Sequence, residues 1–299
     1  MSQVFEITLK DGFKMKGTSF LIENGKANYV FITGMQEYSK RYTRFAEFLN
    51  KNGVNVWILD QIGQGENVSN VEDQQKVCKD AFDKTVEGLY LTIELAKANG
   101  LPTTQGGHSM GSFITQARLE KYPLAANKTI IEGSNGGQAG LMKMGYTLSK
   151  LVVNKKNWDK PNNLLTNLSL GGYAKAIKDR KSDLDWLSYN EENVKAYAED
   201  PYCGHPNTSG FWKEFMKGMK TLWSKKEMNK ISANEKVLIA SGEEDPVGQN
   251  GKGLKWLEKE YKNRGVDVTL KLYPNMRHEI HNETDYLTVY NDFLKFILE

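Results

Sequence analysis

The pentapeptide at residues 107–111, Gly-His-Ser-Met-Gly, constrains the fold of this chain more than any other feature of its sequence. It is a Gly-x-Ser-x-Gly motif that follows a possible short strand at 103–106 and precedes a helical pattern at 112–119. Between a strand and a helix, this motif forms a sharp turn that raises the serine hydroxyl above a sheet. The glycines are needed because a Cβ atom would collide there with neighbouring backbone. The motif therefore predicts a nucleophilic Ser109 on an α/β scaffold.

Apolar strand patterns alternate with amphipathic helical patterns over residues 27–133. The strand patterns cover 27–33, 54–60 and 128–133, and the helical patterns cover 42–50 and 80–98. Such alternation predicts right-handed crossovers and a mostly parallel sheet. Before it, two alternating segments flank the turn Asp11-Gly12 and predict an antiparallel hairpin. These two segments are residues 4–9 and 13–22.

The alternation stops near residue 134 and returns near residue 233. The intervening stretch has helical patterns at 141–153 and 211–223 and no convincing apolar strand. After it come strand patterns at 235–242 and 267–273 and helical patterns at 253–263 and 284–298. A chain of 299 residues fits one large α/β domain with an insertion better than two independent domains. We therefore predict an α/β core formed by residues 1–134 and 233–299, interrupted by a helical insertion at residues 135–232.

A serine hydroxyl is a poor nucleophile near neutral pH, so Ser109 needs a base that is oriented by a carboxylate. The chain has four histidines. His278 lies in the loop after the last strand and is the favoured base. His281, in the same loop, is the alternative, but it is expected to start the final helix or to face solvent. His108 is expected to point away from the serine because it is the residue next to it.

Three carboxylates, Glu243, Glu244 and Asp245, follow the strand pattern that ends at residue 241. Asp245 precedes Pro246, which favours an extended backbone and lets the aspartate side chain turn inward. Asp245 is therefore the favoured acid, and the two glutamates are expected to be solvated loop charges.

A tetrahedral intermediate also needs two donors for its oxyanion. One is expected to be the backbone N–H of Met110, the residue after the nucleophile. The loop after the strand at 28–33 should supply the other, and the N–H of Met35 is the favoured donor.

With these motifs the chain resembles the lysophospholipase and monoacylglycerol lipase branch of the α/β-hydrolases, which is grouped with serine aminopeptidase-type hydrolases. The resemblance rests on segments 60–65, 107–111, 132–137, 200–204, 242–248 and 273–279. It implies an α/β-hydrolase fold, with a mostly parallel central sheet, an N-terminal antiparallel hairpin and a helical cap. It places nucleophile, acid and base on Ser109, Asp245 and His278, in the chain order of that fold, and the second oxyanion donor on Met35. It implies no metal and no organic cofactor.

The chain departs from the family pattern around the expected oxyanion site. Thr33 stands where the family usually has histidine. Ile62, Gln64 and Asn67 stand in place of the usual arginine, histidine and serine of the loop that begins at Asp60. The strand before Ser109 is polar and small where it is usually apolar. None of these changes removes a proposed catalytic group, and Asp60 is interpreted as structural.

The resulting functional prediction is a serine hydrolase that cleaves the ester of a lipid with one acyl chain, either a lysophospholipid or a monoacylglycerol. A peptidase or a thioesterase could use the same three residues, and a catalytically inactive hydrolase-fold binding protein is a further alternative. A deep apolar tunnel would favour a lipid, whereas acidic groups placed to hold a free amine would favour aminopeptidase action.

The insertion contains two apolar patterns at helical spacing. The first, at 140–153, has lysines on or just beyond it and is expected either to pack on the core, to line an acyl tunnel or to contact a membrane surface transiently. The second consists of Trp212, Phe215, Met216, Met219, Leu222 and Trp223. It is expected to form the core of the insertion first and the wall of an acyl pocket second.

Composition limits the remaining classes of function. Net charge is +3 with both signs mixed along the chain, so no nucleic-acid partner is expected. The N-terminus lacks the pattern of a secretion signal, and no apolar run approaches the roughly 18 residues of a spanning helix. Cys78 and Cys203 lie far apart and are expected to be reduced thiols. These features predict a cytoplasmic protein, with its oligomeric state left open.

Overall fold

An eight-stranded sheet forms the centre of the computed structural model, which describes residues 2–299. Its strands are β1 (Ser2–Thr8), β2 (Lys14–Phe20), β3 (Ala27–Ile32), β4 (Val54–Leu59), β5 (Thr103–His108), β6 (Lys128–Glu132), β7 (Lys236–Gly242) and β8 (Asp267–Tyr273). They are ordered β1-β2-β4-β3-β5-β6-β7-β8. β1 pairs with β2, and β2 with β4, in antiparallel register. All pairs from β4 to β8 are parallel, which confirms the predicted mostly parallel sheet with an N-terminal hairpin.

Helices cover both faces of this sheet. In chain order they are α1 (Thr43–Lys51), α2 (Ala81–Lys97), α3 (Met110–Lys121), α4 (Ala139–Val152), α5 (Asn163–Ser169), α6 (Gly171–Ala176), α7 (Glu191–Glu199), α8 (Ser209–Met219), α9 (Lys225–Met228), α10 (Lys252–Lys262) and α11 (Tyr286–Leu298). Successive side chains of a strand point to opposite faces. Val30 and Ile32 therefore belong to the core formed with α2 and α3, whereas Tyr29 and Phe31 belong to the core formed with α1 and α11.

The central strand β5 is buried along its whole length although it carries no large apolar side chain. Its small residues are needed for close packing, since a Cβ on Gly106 would overlap the Tyr29 hydroxyl and one on Gly107 would overlap the backbone of Gly111. Its polar groups have partners inside the protein. The Gln105 side chain, for example, accepts a 2.9 Å hydrogen bond from Arg118 Nε. The polarity of this strand is thus compatible with a central position in the sheet.

The chain between β6 and β7 is helical, as its sequence predicts, and contains α4 to α9. α4 packs on α8, where Gly145 lies against the sulfur of Met216. α8 in turn packs on α2 of the core. The indole N–H of Trp158 donates a 2.8 Å hydrogen bond to the carbonyl of Val77 and ties this segment to the core as well. Across residues 2–299, no helix has both the length and the apolar character required to cross a membrane.

Candidate active site

Ser109 occupies the sharp turn between β5 and α3. Its backbone angles are φ 54° and ψ −120°, a combination that non-glycine residues rarely adopt. The Ser109 N–H donates a 3.0 Å hydrogen bond to the carbonyl of Glu132, which anchors the turn to the end of β6. A Cβ on Gly111 would overlap the carbonyl oxygens of Ile32 and Thr33. The glycine spacing of the motif therefore has the steric cause that the sequence predicts.

Asp245 and His278 meet at the carboxyl ends of β7 and β8. The His278 Nδ1 atom lies 3.0 Å from Asp245 Oδ2, and both side chains are almost completely buried. The carboxylate also accepts hydrogen bonds from Ser241 Oγ and from the Val247 N–H, each 2.8 Å long. These bonds hold the carboxylate in place, so that it can orient the imidazole.

The other ring nitrogen of His278 faces the cavity that contains Ser109. Within the described residues 2–299, His278 Nε2 makes no hydrogen bond, so the serine hydroxyl is not bonded to it in this conformation. Trp186, from the segment between β6 and β7, lies over the imidazole with ring centroids 5.0 Å apart. Ser109 and His278 line one cavity, and catalytic hydrogen bonds often tighten only when substrate binds.

The two residues whose N–H groups are expected to bind an oxyanion, Met35 and Met110, both line the same cavity. Met110 is the first residue of α3, and the N–H groups of a first helical turn have no acceptor within the helix. The Met35 N–H has no hydrogen-bond partner in the part of the chain that the structure describes. Two donors are therefore available at the entrance to α3.

The cavity has a volume of about 260 Å³ and mostly apolar walls. The walls include Phe113, Met142, Leu148, Trp212, Phe215, Met216, Met219 and Trp223. The second apolar pattern of the sequence thus both packs inside the helical segment and faces the cavity. On α4, the half-buried Met142 and Leu148 and the exposed Met144 line the cavity, whereas Leu151 is exposed outside it.

A buried cluster of charged side chains lies behind this cavity. Arg41 bridges two carboxylates, with Nη1 2.7 Å from Glu37 Oε2 and 2.8 Å from Glu279 Oε1. Glu37 Oε1 lies 3.2 Å from His108 Nδ1. Burial opposes the charge on Glu37, but His108 and Arg41 outweigh it and hold the pKa of the carboxyl below its usual 4.5. Burial likewise acts to lower the pKa of His108, but Glu37 raises it to about 9. His108 is thus turned toward Glu37, and its raised pKa favours the positively charged imidazolium near neutral pH.

The expectation for His281 is wrong, because this residue neither starts the final helix nor faces solvent. It lies in a short 3₁₀ turn at 280–282, is 1% exposed and places Nδ1 2.5 Å from Glu132 Oε1. Its ring stacks on Tyr42, with centroids 4.8 Å apart. Glu132 lies at the end of β6, and only the folded structure brings it next to the loop that carries His281.

Two further expectations are confirmed. Glu243 and Glu244 are exposed, so Asp245 is the one carboxylate of the three that turns inward. Asp60 accepts hydrogen bonds from Ser39 N and Oγ and from the Glu66 N–H, which fits a structural role.

His108, Glu132 and His281 could by distance approach one metal ion, since a ligand atom from each lies within 4.8 Å of the others. Two of these residues already bond each other, through His281 Nδ1 and Glu132 Oε1. His108 Nδ1 is in turn committed to Glu37. The cluster is thus held together by histidine–carboxylate hydrogen bonds. Sequence reasoning missed Glu37 and Arg41 of the charge cluster; their opposite charges, four residues apart just before the helical pattern at 42–50, were the available signal.

Glu37→Gln is expected to lower the free energy of unfolding by about 3–5 kcal/mol, because it leaves the buried positive charges of Arg41 and His108 without one partner. The depressed pKa of Glu37 stabilises the fold above pH 4.5, and this contribution is lost as pH falls below that value. The raised pKa of His108 stabilises it below pH 6.5, and that contribution is lost as pH rises through about 9. The difference in unfolding free energy between wild type and variant, measured in urea, should therefore be largest between pH 4.5 and pH 6.5 and smaller above pH 9.

Glu47→Gln is the matched control, since Glu47 lies exposed on α1 and is not paired with any residue of the cluster. It should change the unfolding free energy by no more than about 0.5 kcal/mol at any pH. A difference between wild type and Glu37→Gln that is constant from acid to alkaline pH would contradict the assignment of charge to His108.

Comparison with known families gives one match that spans most of the chain. A family model described as "Serine aminopeptidase, S33" matches residues 23–285. This range contains Ser109, Asp245 and His278 as well as the whole helical segment between β6 and β7.

Individual proteins show similarity over nearly their full length. The monoglyceride lipase of Saccharomyces cerevisiae is 26% identical over 304 residues, covering 96% of this chain and 90% of that protein. The monoacylglycerol lipase of Mycolicibacterium smegmatis is 25% identical over 275 residues, covering 90% of this chain and 87% of that protein. A thermostable carboxyl esterase from Bacillus coagulans, solved in complex with glycerol, superposes with a TM-score of 0.83 at 21% identity and covers 100% of this chain and 99% of its own.

Proposed function

Since the chain belongs to the serine aminopeptidase S33 family of α/β-hydrolases and is a carboxylic ester hydrolase, we propose that it cleaves the ester of a lipid with one acyl chain. Monoacylglycerols and lysophospholipids are the two substrate classes proposed. The observation that carries the proposal is the apolar cavity of about 260 Å³ that opens beside Ser109. Its size lies near the lower end of small-molecule sites, about 300–1,000 Å³, which suits one chain better than two.

In the proposed mechanism the Ser109 Oγ attacks the ester carbonyl while His278 Nε2 takes its proton. Asp245 holds the imidazole by its Nδ1–H and stabilises the imidazolium that forms. His278 then donates the proton to the departing alcohol, and an acyl-enzyme remains on Ser109. A water molecule that His278 deprotonates releases the fatty acid and restores the serine. The bond between His278 and Asp245 supports this assignment of roles.

The tetrahedral intermediates of both steps carry a negative oxygen. We propose that the N–H groups of Met35 and Met110 bind it, because both border the cavity at Ser109. Donors that are fixed before the reaction stabilise the developing charge without reorganisation.

We propose that residues 1–134 and 233–299 form the catalytic core and that residues 135–232 form a cap over the cavity. All six helices from α4 to α9 lie in this one interval of the chain. The cap supplies most of the apolar wall, while the core supplies Ser109, Asp245 and His278. The acyl chain would therefore lie between the two parts.

A peptidase activity on a free amino terminus is disfavoured by the charges around the cavity. Glu37 and Glu279 are the carboxylates that line it within residues 2–299, and both are paired with the buried Arg41. A paired carboxylate has little negative potential left to hold a substrate ammonium group. An ester or thioester of a fatty acid needs no such group.

A panel of esters tests the substrate class. Acyl chains from butyryl to oleoyl are offered on glycerol, on glycerophosphocholine, on p-nitrophenol and as a thioester, beside an aminoacyl anilide. The specificity constant kcat/KM should rise by up to about fourfold per added CH₂, since burial of one CH₂ is worth about 0.8 kcal/mol. The rise should end where the chain outgrows the cavity. A preference for butyryl esters would refute the lipid assignment and leave ester hydrolysis intact.

We further propose that the cap rests on lipid through α4. Leu141, Met144 and Leu151 recur at helical spacing and are 52%, 65% and 80% exposed, a face that suits a membrane surface.

Leu151→Ser should reduce co-sedimentation with anionic vesicles while hydrolysis of a short soluble ester stays unchanged, because Leu151 does not line the cavity. Leu298→Ser, at an exposed position on α11, is the control. Equal sedimentation of both variants and wild type would exclude this contact.

A further inference from the structure

Gln64, one of the positions that depart from the family pattern, contacts the backbone on both sides of Met35. Its Nε2 atom donates to the carbonyls of Gly34 and Glu37 at 2.8 and 3.0 Å. Its Oε1 atom accepts from the Gln36 N–H at 2.8 Å. The side chain is fully buried. One amide group thus holds the peptide unit before Met35 and the peptide unit after it.

These contacts determine where the Met35 N–H points. In a trans peptide the C=O of one residue and the N–H of the next lie in one plane and point in opposite directions. The Gly34 carbonyl is drawn toward Gln64, so the Met35 N–H is directed away from Gln64. The Gln36 N–H is held by Gln64 Oε1 on the other side of Met35. The peptide unit between Gly34 and Met35 therefore cannot rotate freely. Met35 lines the cavity, and its N–H has no protein partner among the described residues.

Neighbouring amides keep Gln64 in this position. Gln75 Nε2 donates to Gln64 Oε1 at 3.1 Å, so both donor hydrogens and both acceptor positions of Gln64 are used. Gln61 Nε2 donates to the carbonyl of Thr33 at 2.5 Å and contacts that of Gly34 at 3.3 Å. A side chain whose hydrogen bonds are all made, inside a buried site, has little freedom to move.

We propose that Gln64 is a positioning residue, which orients the Met35 N–H toward the oxyanion. The proposal rests on the proposed function, in which that N–H stabilises the tetrahedral intermediate. It also explains why the usual histidine is dispensable here. A neutral imidazole offers one donor and one acceptor on separate nitrogens, whereas this amide gives two donations and accepts two. The amide also has no proton to lose or gain between acid and neutral pH.

Gln64→Met tests the proposal, since methionine is similar in length and removes every hydrogen bond of the side chain. Loss of an oxyanion donor costs about 10²–10³ in kcat, and a misdirected Met35 N–H should produce a loss that approaches this range. KM should stay within about threefold of wild type, because the ground-state ester does not depend on this donor. A trifluoromethyl ketone, which forms a tetrahedral adduct on serine, should lose affinity by the same factor as kcat. A non-hydrolysable ether analogue should bind as before.

Gln74→Met is the matched control. Gln74 is a buried glutamine of the same region, and its amide atoms make no hydrogen bonds within residues 2–299. This variant should keep wild-type kcat and KM. The proposal is overturned if Gln64→Met keeps wild-type kcat, or if its affinity for ketone and for ether analogue falls equally.

A second variant keeps the test decisive if Gln64→Met does not fold. Gln64→His retains a donor to the loop, and protonation of the imidazole, near pH 6.5 in an unperturbed histidine, removes the acceptor for the Gln36 N–H. Its kcat should fall relative to wild type as pH is lowered through the pKa of this imidazole, which burial shifts below 6.5, with KM little changed. A pH profile parallel to that of wild type would overturn the proposal. Hydrolysis by wild type that disappears in Ser109→Ala separates this outcome from failure of the proposed function.

Discussion

Ser109→Ala is expected to lower turnover of a p-nitrophenyl ester by about 10⁴-fold or more, because no covalent acyl-enzyme can form without the hydroxyl. Met35 and Met110 would still offer their N–H groups and the cavity would still bind the chain, so a small residual rate over water is expected. The measurement is initial velocity at saturating ester, with protein mass spectrometry after exposure to a fluorophosphonate. Wild type should gain one adduct and the variant none.

Ser69→Ala provides the comparison, since Ser69 is exposed in a loop outside the cavity. It should keep full turnover and full labelling. Retained hydrolysis or labelling in Ser109→Ala would show that another residue is the nucleophile. A wild-type protein that the probe does not label would contradict the proposed role of Ser109 in the same way.

Asp245→Asn is expected to lower kcat by about 10³–10⁴-fold. Asparagine keeps the size of the side chain but presents an NH₂ group to His278 Nδ1. The imidazole would then carry its proton on Nε2, where it cannot take the proton of Ser109. The fold should survive, because the asparagine oxygen can still accept the hydrogen bond of the Val247 N–H. Steady-state kinetics and a thermal melt are the two measurements.

Glu243→Gln is the control for this change, because Glu243 lies two positions away and its side chain is exposed. It should leave kcat within about twofold, as is usual for surface substitutions that touch no specific partner. If both variants lost activity equally, or if neither did, Asp245 could not be the carboxylate that orients the base.

Much of the fold could be predicted because its signals are local. The strand expected at 267–273 spans those residues in the structure, and the helix expected at 141–153 spans Ala139–Val152. Buried strands show continuous apolar runs and amphipathic helices a repeat near 3.6 residues, and both patterns lie within one short window. The sequence does not predict α5, α6 and α9, since helices of one or two turns contain too few residues for a clear repeat. It does not predict α7 either, because that helix buries only Tyr197 and has no apolar stripe.

His281 shows where local reasoning fails. Its sequence neighbours suggest a solvent-facing residue at a helix start. Its actual partner is Glu132, which lies 149 positions earlier in the chain. A buried histidine becomes favourable only when a carboxylate satisfies its ring nitrogen, and no nearby residue type reports that partner.

The sequence alone determined the order of strands and helices, the turn that presents Ser109, and the loops that carry Asp245 and His278. Glycine spacing, apolar periodicity and the position of proline act through the backbone of a few adjacent residues, so they can be recognised without a fold. Tertiary structure alone decided the shape of the cavity and the charge cluster around Arg41. It also decided the hydrogen bond from Gln64 to the carbonyl of Gly34, 30 positions away. Each of these depends on desolvated contacts between distant segments, and their energies arise only when the sheet has brought those segments together.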